Sequence, residues 1–300
     1  VRSVVLALSY LPESIQGYFG DGTELGIKLS YSVENYPLGT AGAVKNAEQY
    51  LNSTFAVLNG DVFTDLDMND MLIFHQRKEA KVTIALTQVE NPCAFGTVET
   101  DSAGRVRRFV EKPIPEQVTT NWINAGIYIL EPEVLGYVPS GSHYMFENGL
   151  FPRLLELSEP VYGYRFSGYW LDMGTPKKYL SLNCDLALSK AKSALVNYPN
   201  NEIFCEQNAF IHPSAQITAP VVIEGRCHIG QGVHIKGPVI IGENCHIDEG
   251  ASLEKVVLWR NVNVGAGAYL KHCIISSNTK IEDNKKLVNC VVTPSASGSL

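Results

Sequence analysis

From residue 211 onward the chain repeats with a period of six. Ile211, Ile217, Ile223, Ile229, Ile235, Ile241, Ile247 and Leu253 recur at that interval. Four residues after each stands a smaller one: Ala215, Val221, Cys227, Val233, Val239, Cys245, Ala251 and Val257. A large aliphatic followed by a small one, eight times in register, predicts a left-handed parallel β-helix in which three hexads make one triangular coil. No coil buries its apolar edge alone, so the coils must stack. The pattern loosens through Val264, Leu270, Ile275, Ile281 and Leu287, and a tail of small residues covers 293–300.

Residues 1–196 follow a different rhythm. Apolar runs at 4–8, 27–33, 55–58 and 82–87 alternate with helix-like segments that open at Pro12, Gly39 and Asp67. That alternation predicts an α/β domain with a parallel, doubly wound sheet. Hairpin-like strands follow at 95–100 and 106–110 around Asp101-Ser102-Ala103-Gly104, then a strand at 127–130 and a helix at 147–157. A strand over 162–170 is expected to run into Asp172-Met173-Gly174, with a helix from 176 onward. The domain division expected is therefore 1–196, a polar linker at 197–208, the β-helix at 209–292 and the tail.

The formal net charge is −7, and no run of basic residues occurs. Duplex nucleic acid is excluded as a main partner, because it demands a basic face that displaces counterions. Nucleotides remain open, since local lysines, Mg²⁺ and backbone N–H groups can bind them in an acidic protein. Seven cysteines, an odd number without a CxxC pair, and the lack of any secretory-type or membrane-spanning apolar run point to a reducing, cytoplasmic setting.

Several residues could carry chemistry. Asp61 follows an apolar strand directly, at the sheet edge where α/β proteins bind ligands. A carboxylate there could hold Mg²⁺ or cap the next helix, and both readings stand open. Asp172 presents the same choice after Tyr169-Trp170-Leu171, yet a second carboxylate at a strand end suits a phosphoryl-transfer site. Gly39 and Thr40 sit where a loop meets a helix, so backbone could approach a base or a phosphate there, or simply cap the helix. Lys112 could bind a phosphate and Glu111 sugar hydroxyls, the competing reading being a surface ion pair. Asn124 could bond a sugar or shape a turn. Cys227-His228 and Cys245-His246 mimic a metal cluster on adjacent coils, but thiol and imidazole point to opposite faces.

Taken in order, these segments resemble the nucleoside-diphosphate-sugar pyrophosphorylases (sugar-1-phosphate nucleotidyltransferases). The matching strings are Pro37-Leu38-Gly39-Thr40-Ala41-Gly42, Leu58-Asn59-Gly60-Asp61, Phe95-Gly96, Phe109-Val110-Glu111-Lys112-Pro113, Asn124-Ala125-Gly126-Ile127-Tyr128 and Gly168-Tyr169-Trp170-Leu171-Asp172-Met173-Gly174-Thr175-Pro176. With the β-helix they look most like the mannose-1-phosphate guanylyltransferase branch. The resemblance implies a Rossmann-like (GT-A-like) nucleotidyltransferase domain whose catalytic Mg²⁺ is held by Asp61 and Asp172. It further implies that the Gly39–Thr40 loop lies against the nucleobase and Gly96 against the sugar, with Gly60 also binding substrate. Glu111 and Asn124 would bond sugar hydroxyls, and Lys112 would contact the sugar phosphate. The partners implied are a nucleoside triphosphate and a sugar 1-phosphate, GTP and mannose 1-phosphate first, with thymidylyl, adenylyl or uridylyl transfer to glucose 1-phosphate as the alternative.

The family opens with a Gly-rich G-x-G-T-R-x-x-P-x-T loop that holds the triphosphate, and no such string occurs here. The resemblance therefore implies that a βαβ unit of ~30 residues or more is missing and that this chain as written has little activity. Two readings of other classes stay open: a non-catalytic sugar-nucleotide-binding regulatory subunit and a hexapeptide acyltransferase. The flat β-helix faces predict a homo-oligomer without membrane attachment.

Overall fold

The structure is a computed structural model that describes residues 1–191, 202–294 and 296–299; residues 197–201 of the expected linker lie outside these. Among the described residues ten strands precede the β-helix: β1 (Ser3–Leu8), β2 (Lys28–Val33), β3 (Phe55–Leu58), β4 (Val62–Thr64), β5 (Val82–Gln88), β6 (Gly96–Thr100), β7 (Val106–Glu111), β8 (Trp122–Leu130), β9 (Val161–Arg165) and β10 (Trp170–Asp172). The helices are α1 (Pro12–Phe19), α2 (Gly39–Asn46), α3 (Met68–Arg77), α4 (Phe151–Glu156) and α5 (Pro176–Ala187). The chain divides into two compact units, Val1–Gly60 with Leu66–Gly168, and Asp61–Asp65 with Tyr169–Leu300.

In the first unit the sheet is mixed, which corrects the parallel expectation. β1 and β2 form a parallel pair of their own, and β5 runs parallel to β9. Every other pairing, of β3, β5 and β6 with β8 and of β6 with β7, is antiparallel. The reason lies in the strands themselves: a run such as Val82–Gln88, buried along almost its whole length, reads alike in either direction. β8 also begins earlier than expected, so Asn124-Ala125-Gly126 lies inside a strand, opposite a bulge between Ile84 and Leu86. Gly126 takes φ 72°, and a β-carbon there would meet Asn59 Nδ2 at 2.6 Å. The expected helix over 147–157 starts as a π-turn, Phe146–Leu150, before α4. Phe146, Phe151 and Tyr128 pack as a ring cluster in this unit's core.

The expected strand over 162–170 proves to be two separate elements, β9 in the first unit and β10 in the second, because Gly168 and its neighbours break it and only Trp170–Asp172 pairs with β4. The hexads build the parallel β-helix. Ile211, Ile229 and Ile247 stack in register, as do Ile217, Ile235 and Leu253. Cys227, Val233, Cys245 and Ala251 fill the inward space beside them. Ile229 pairs Ile247 eighteen residues on, but Ile247 pairs Val264 only seventeen on. That one-residue loss moves Val256, rather than the expected Val257, into the core. Val257 instead joins Val222, Ile240 and Ile274 in an outward apolar row, which α5 covers with Leu180 and Ala187. The sequence logic is a triplet such as Val221-Val222-Ile223: outer residues point in, the middle one out.

Replacing the fully buried Ile247 by Ala leaves a cavity that stacked coils cannot close. Ile247→Ala is expected to cost about 2–5 kcal/mol, seen as a lower urea midpoint; an unchanged midpoint would contradict this packing.

Candidate active site

In the second unit, β10 lies antiparallel on β4 with Asp172 opposite Val62, the residue after Asp61. Met173 N–H donates to the Asp61 carbonyl at 2.6 Å, which continues the ladder past the last strand pair. A β-carbon on Gly174 would lie 3.1 Å from Asp172 Oδ1 and 3.7 Å from Asp61 Oδ2. Both carboxylates therefore border the space above Gly174, and only a glycine leaves that space open. Asp172 Oδ1 accepts the Gly174 N–H at 2.9 Å, while Oδ2 takes the Lys178 ammonium at 2.7 Å. Burial acts to raise the Asp172 pKa, but Lys178 and the Gly174 N–H outweigh it and hold the carboxyl below its ordinary range. Lys178 was not visible as a site residue from sequence; its position on the first turn of α5, whose cap is Thr175, is the signal that could have found it.

Two hard oxygen donors suit Mg²⁺, which takes one or two protein carboxylates and completes its shell with phosphate oxygens and water. Among the described residues no group of three or more His, Cys, Asp or Glu side chains converges on a metal position. The Cys–His pairs behave as expected: Cys227 and Cys245 are core residues, and His228 stacks on His246 with ring centroids 4.4 Å apart.

In the first unit, Gly96 pairs with Glu111 across β6 and β7. A β-carbon on Gly96 would strike Glu111 Oε2 and Phe109 Cζ, both at 2.7 Å, so the glycine exists to let that carboxylate lie across the strand. Burial, then repulsion from Glu147, raises the Glu111 pKa against the pull of Lys112. Lys112 Nζ stands 4.0 Å from Glu111 Oε1 with its side chain 69% exposed. Its backbone is left-handed, φ 45°, a conformation that costs a non-glycine residue about 1–2 kcal/mol. Such outliers cluster at functional positions.

Asn124 is linked through Tyr128 to the missed residue of this unit, Glu147. Asn124 Nδ2 donates to Tyr128 Oη at 2.8 Å, Tyr128 Oη to Glu147 Oε1 at 3.4 Å, and Thr40 Oγ1 to Glu147 Oε2 at 3.1 Å. Burial pushes the Tyr128 phenol well up, so it stays a donor. Glu147 sits in the π-turn, where sequence spacing predicts only the start of a helix. Gly39 (φ 73°) has Tyr144 O at 2.8 Å from its would-be β-carbon, and the same carbonyl accepts the Ala41 and Gly42 N–H groups. The start of α2 is thus internally satisfied. Gly60, at the exit of β3, has nothing packed on it. Asp61 and Asp172 come together in one unit; Gly96, Glu111 and Lys112 adjoin in the other, as do Thr40 and Asn124 through Glu147.

A nucleotidyl transferase family model matches residues 1–189, and an EIF2B subunit epsilon LbH domain model matches residues 200–296. A mannose-1-phosphate guanylyltransferase of Mycobacterium tuberculosis is 37% identical, covering 77% of this chain and 65% of that protein. A mannose-1-phosphate guanyltransferase of Pichia angusta is 37% identical over 71% of this chain and 60% of the relative. A UTP–glucose-1-phosphate uridylyltransferase of Synechocystis is 33% identical over 77% and 64%. The chain thus spans less than two thirds of the length of these relatives. HddC from Yersinia pseudotuberculosis, solved in complex with GMP-PN, superposes with a TM-score of 0.52 at 28% identity, over 60% of this chain and 77% of that one.

The raised Glu111 pKa carries a stability consequence. A carboxyl whose folded pKa lies above its unfolded value favours the fold at low pH and loses that contribution as pH rises through the folded pKa. Glu111→Gln should therefore raise the unfolding temperature at pH 7, with the gain fading as pH falls through the raised folded pKa and gone below the ordinary glutamate value of 4.5. A gain that grows on acidification would contradict the burial of this group.

Proposed function

The chain belongs to the nucleotidyl transferase family, and from that premise we propose that it joins a nucleoside triphosphate to a sugar 1-phosphate, giving an NDP-sugar and pyrophosphate. The observation that carries the reading is the Asp61–Asp172 pair bordering Gly174. GTP and mannose 1-phosphate are the preferred substrates, a choice supported by the names of the Mycobacterium and Pichia relatives. Uridylyl transfer to glucose 1-phosphate is the second reading, supported by the Synechocystis relative. Among the described residues no helix is long and apolar enough to cross a membrane, and all seven cysteines are free. Both facts agree with a cytoplasmic enzyme, which we propose acts as a homo-oligomer.

Asp61 and Asp172 would hold one Mg²⁺, which supplies neutralisation of charge at the α-phosphate. Lys178 acts as a positioning residue, since its ammonium fixes Asp172 Oδ2 and leaves Oδ1 toward the Gly174 space. Lys112 would bind the sugar phosphate, Glu111 and Asn124 the sugar hydroxyls, with Gly96 giving the sugar close approach to the strand. Gly39, Thr40 and Gly60 would line the nucleotide. A phosphate oxygen of the sugar 1-phosphate forms the new bond to the α-phosphorus; the bond from that phosphorus to the bridging oxygen breaks, and the negative charge leaves on pyrophosphate. Positioning and charge neutralisation do this without a covalent enzyme intermediate.

In the protein that carries this chain, Asp172→Asn should lower kcat for pyrophosphate release by ~100-fold or more with the melting curve preserved. Retention of about a tenth of the turnover or more would remove Asp172 from the reaction. Lys112→Ala should raise the sugar 1-phosphate KM by roughly tenfold or more while hardly changing that of the nucleotide; equal effects would contradict its assignment.

A further inference from the structure

A cavity of about 580 Å³ lies within the second unit, between α5 and one corner of the β-helix. Its size falls in the range of small-metabolite sites. The helix supplies Lys177 and the apolar Leu180. The corner supplies Lys255, His272 and Asn289, which share left-handed backbone (φ 50°, 52° and 51°) at a seventeen-residue step. The shortened coils stack these three side chains one above another, and His272 Nδ1 contacts Asn289 Oδ1 at 3.0 Å. An amide oxygen can only accept, so Nδ1 carries the proton and Nε2 is the ring atom left over.

The charge balance of the wall is uneven. Asp185, its one acid among the described residues, already accepts the Tyr169 hydroxyl at 2.9 Å and faces Lys190 at 3.6 Å. Cys184 is pushed up to about 11, chiefly by burial, and enters as a neutral thiol. Lys177 and Lys255 have no carboxylate within ion-pair distance among the described residues, whereas Lys236 and Lys271 of the β-helix pair with Glu254 and Lys285 with Glu282. Two uncompensated ammonium groups facing a half-apolar cavity, in a chain of net charge −7, form a local anion trap.

We propose that this cavity binds a small phosphate-bearing anion, separate from the Asp61–Asp172 pair, through Lys177 and Lys255. The test is calorimetric titration of the whole protein with inorganic phosphate and with pyrophosphate, in EDTA, beside neutral mannose as control. The expected result is saturable binding of the anions but not of mannose. Lys177→Gln/Lys255→Asn should weaken it by roughly tenfold or more, while Lys112→Ala, which acts at the proposed sugar-phosphate contact, leaves it unchanged. Asn tolerates the left-handed backbone at 255, so the fold is expected to survive. Should the double variant not fold, alkylation of Cys184 followed by mass spectrometry serves in the unmodified sequence: pyrophosphate must slow it. Absence of saturable binding, or weakening by Lys112→Ala instead of the double variant, overturns the proposal, as does a Cys184 rate indifferent to pyrophosphate.

Discussion

The ladder between β4 and β10 joins stretches of chain about a hundred residues apart and leaves Asp61 and Asp172 at the same end. Three strand pairs are a slender tie, since each hydrogen bond contributes only about 0.5–1.5 kcal/mol net. The tie is lengthened on both sides. Thr64 Oγ1 donates to the Tyr169 carbonyl, Tyr169 N–H donates to Asp65 Oδ1, and Met173 N–H reaches Asp61. Tyr169 then bonds Asp185 on α5. The chemistry proposed here depends on this short ribbon holding two like charges at one place.

That ribbon stands on the β-helix through α5. The outward row Val222, Ile240, Val257 and Ile274 meets Leu180 and Ala187, so the helix that carries Lys178 is anchored over several coils. Stacked coils with a continuous aliphatic core make a stiff base, because each side chain packs against those above and below. Asp172 is therefore oriented from both directions: by the strand that carries it and by an ammonium on a helix fixed to the β-helix.

Much of this architecture was legible in advance because hexads are long-range repeats and errors at one position are outvoted by the rest. The exception, Val257, arose where one residue drops out of the coil, a slip that local spacing does not announce. The β6–β7 hairpin was legible from its turn, but the direction of a buried run such as Val82–Gln88 was not, since it carries no mark of orientation. Asp61, Glu111, Asn124 and Asp172 could be singled out from strand ends and short strings. Glu147 and Lys178 could not, because their importance comes from what folding brings to them: Thr40 and Tyr128 in one case, Asp172 in the other. The need for glycine at 96 likewise appears only once the cross-strand register lays Glu111 over it.

The central claim is that Asp61 and Asp172 share one divalent ion beside a nucleotide. Electron paramagnetic resonance of Mn²⁺, titrated into the protein with a non-hydrolysable nucleoside triphosphate, measures this without turnover. The account predicts a bound-ion signal that Asp61→Asn and Asp172→Asn each abolish or weaken by roughly tenfold. Undiminished binding in either variant would show that the two carboxylates do not act on one ion.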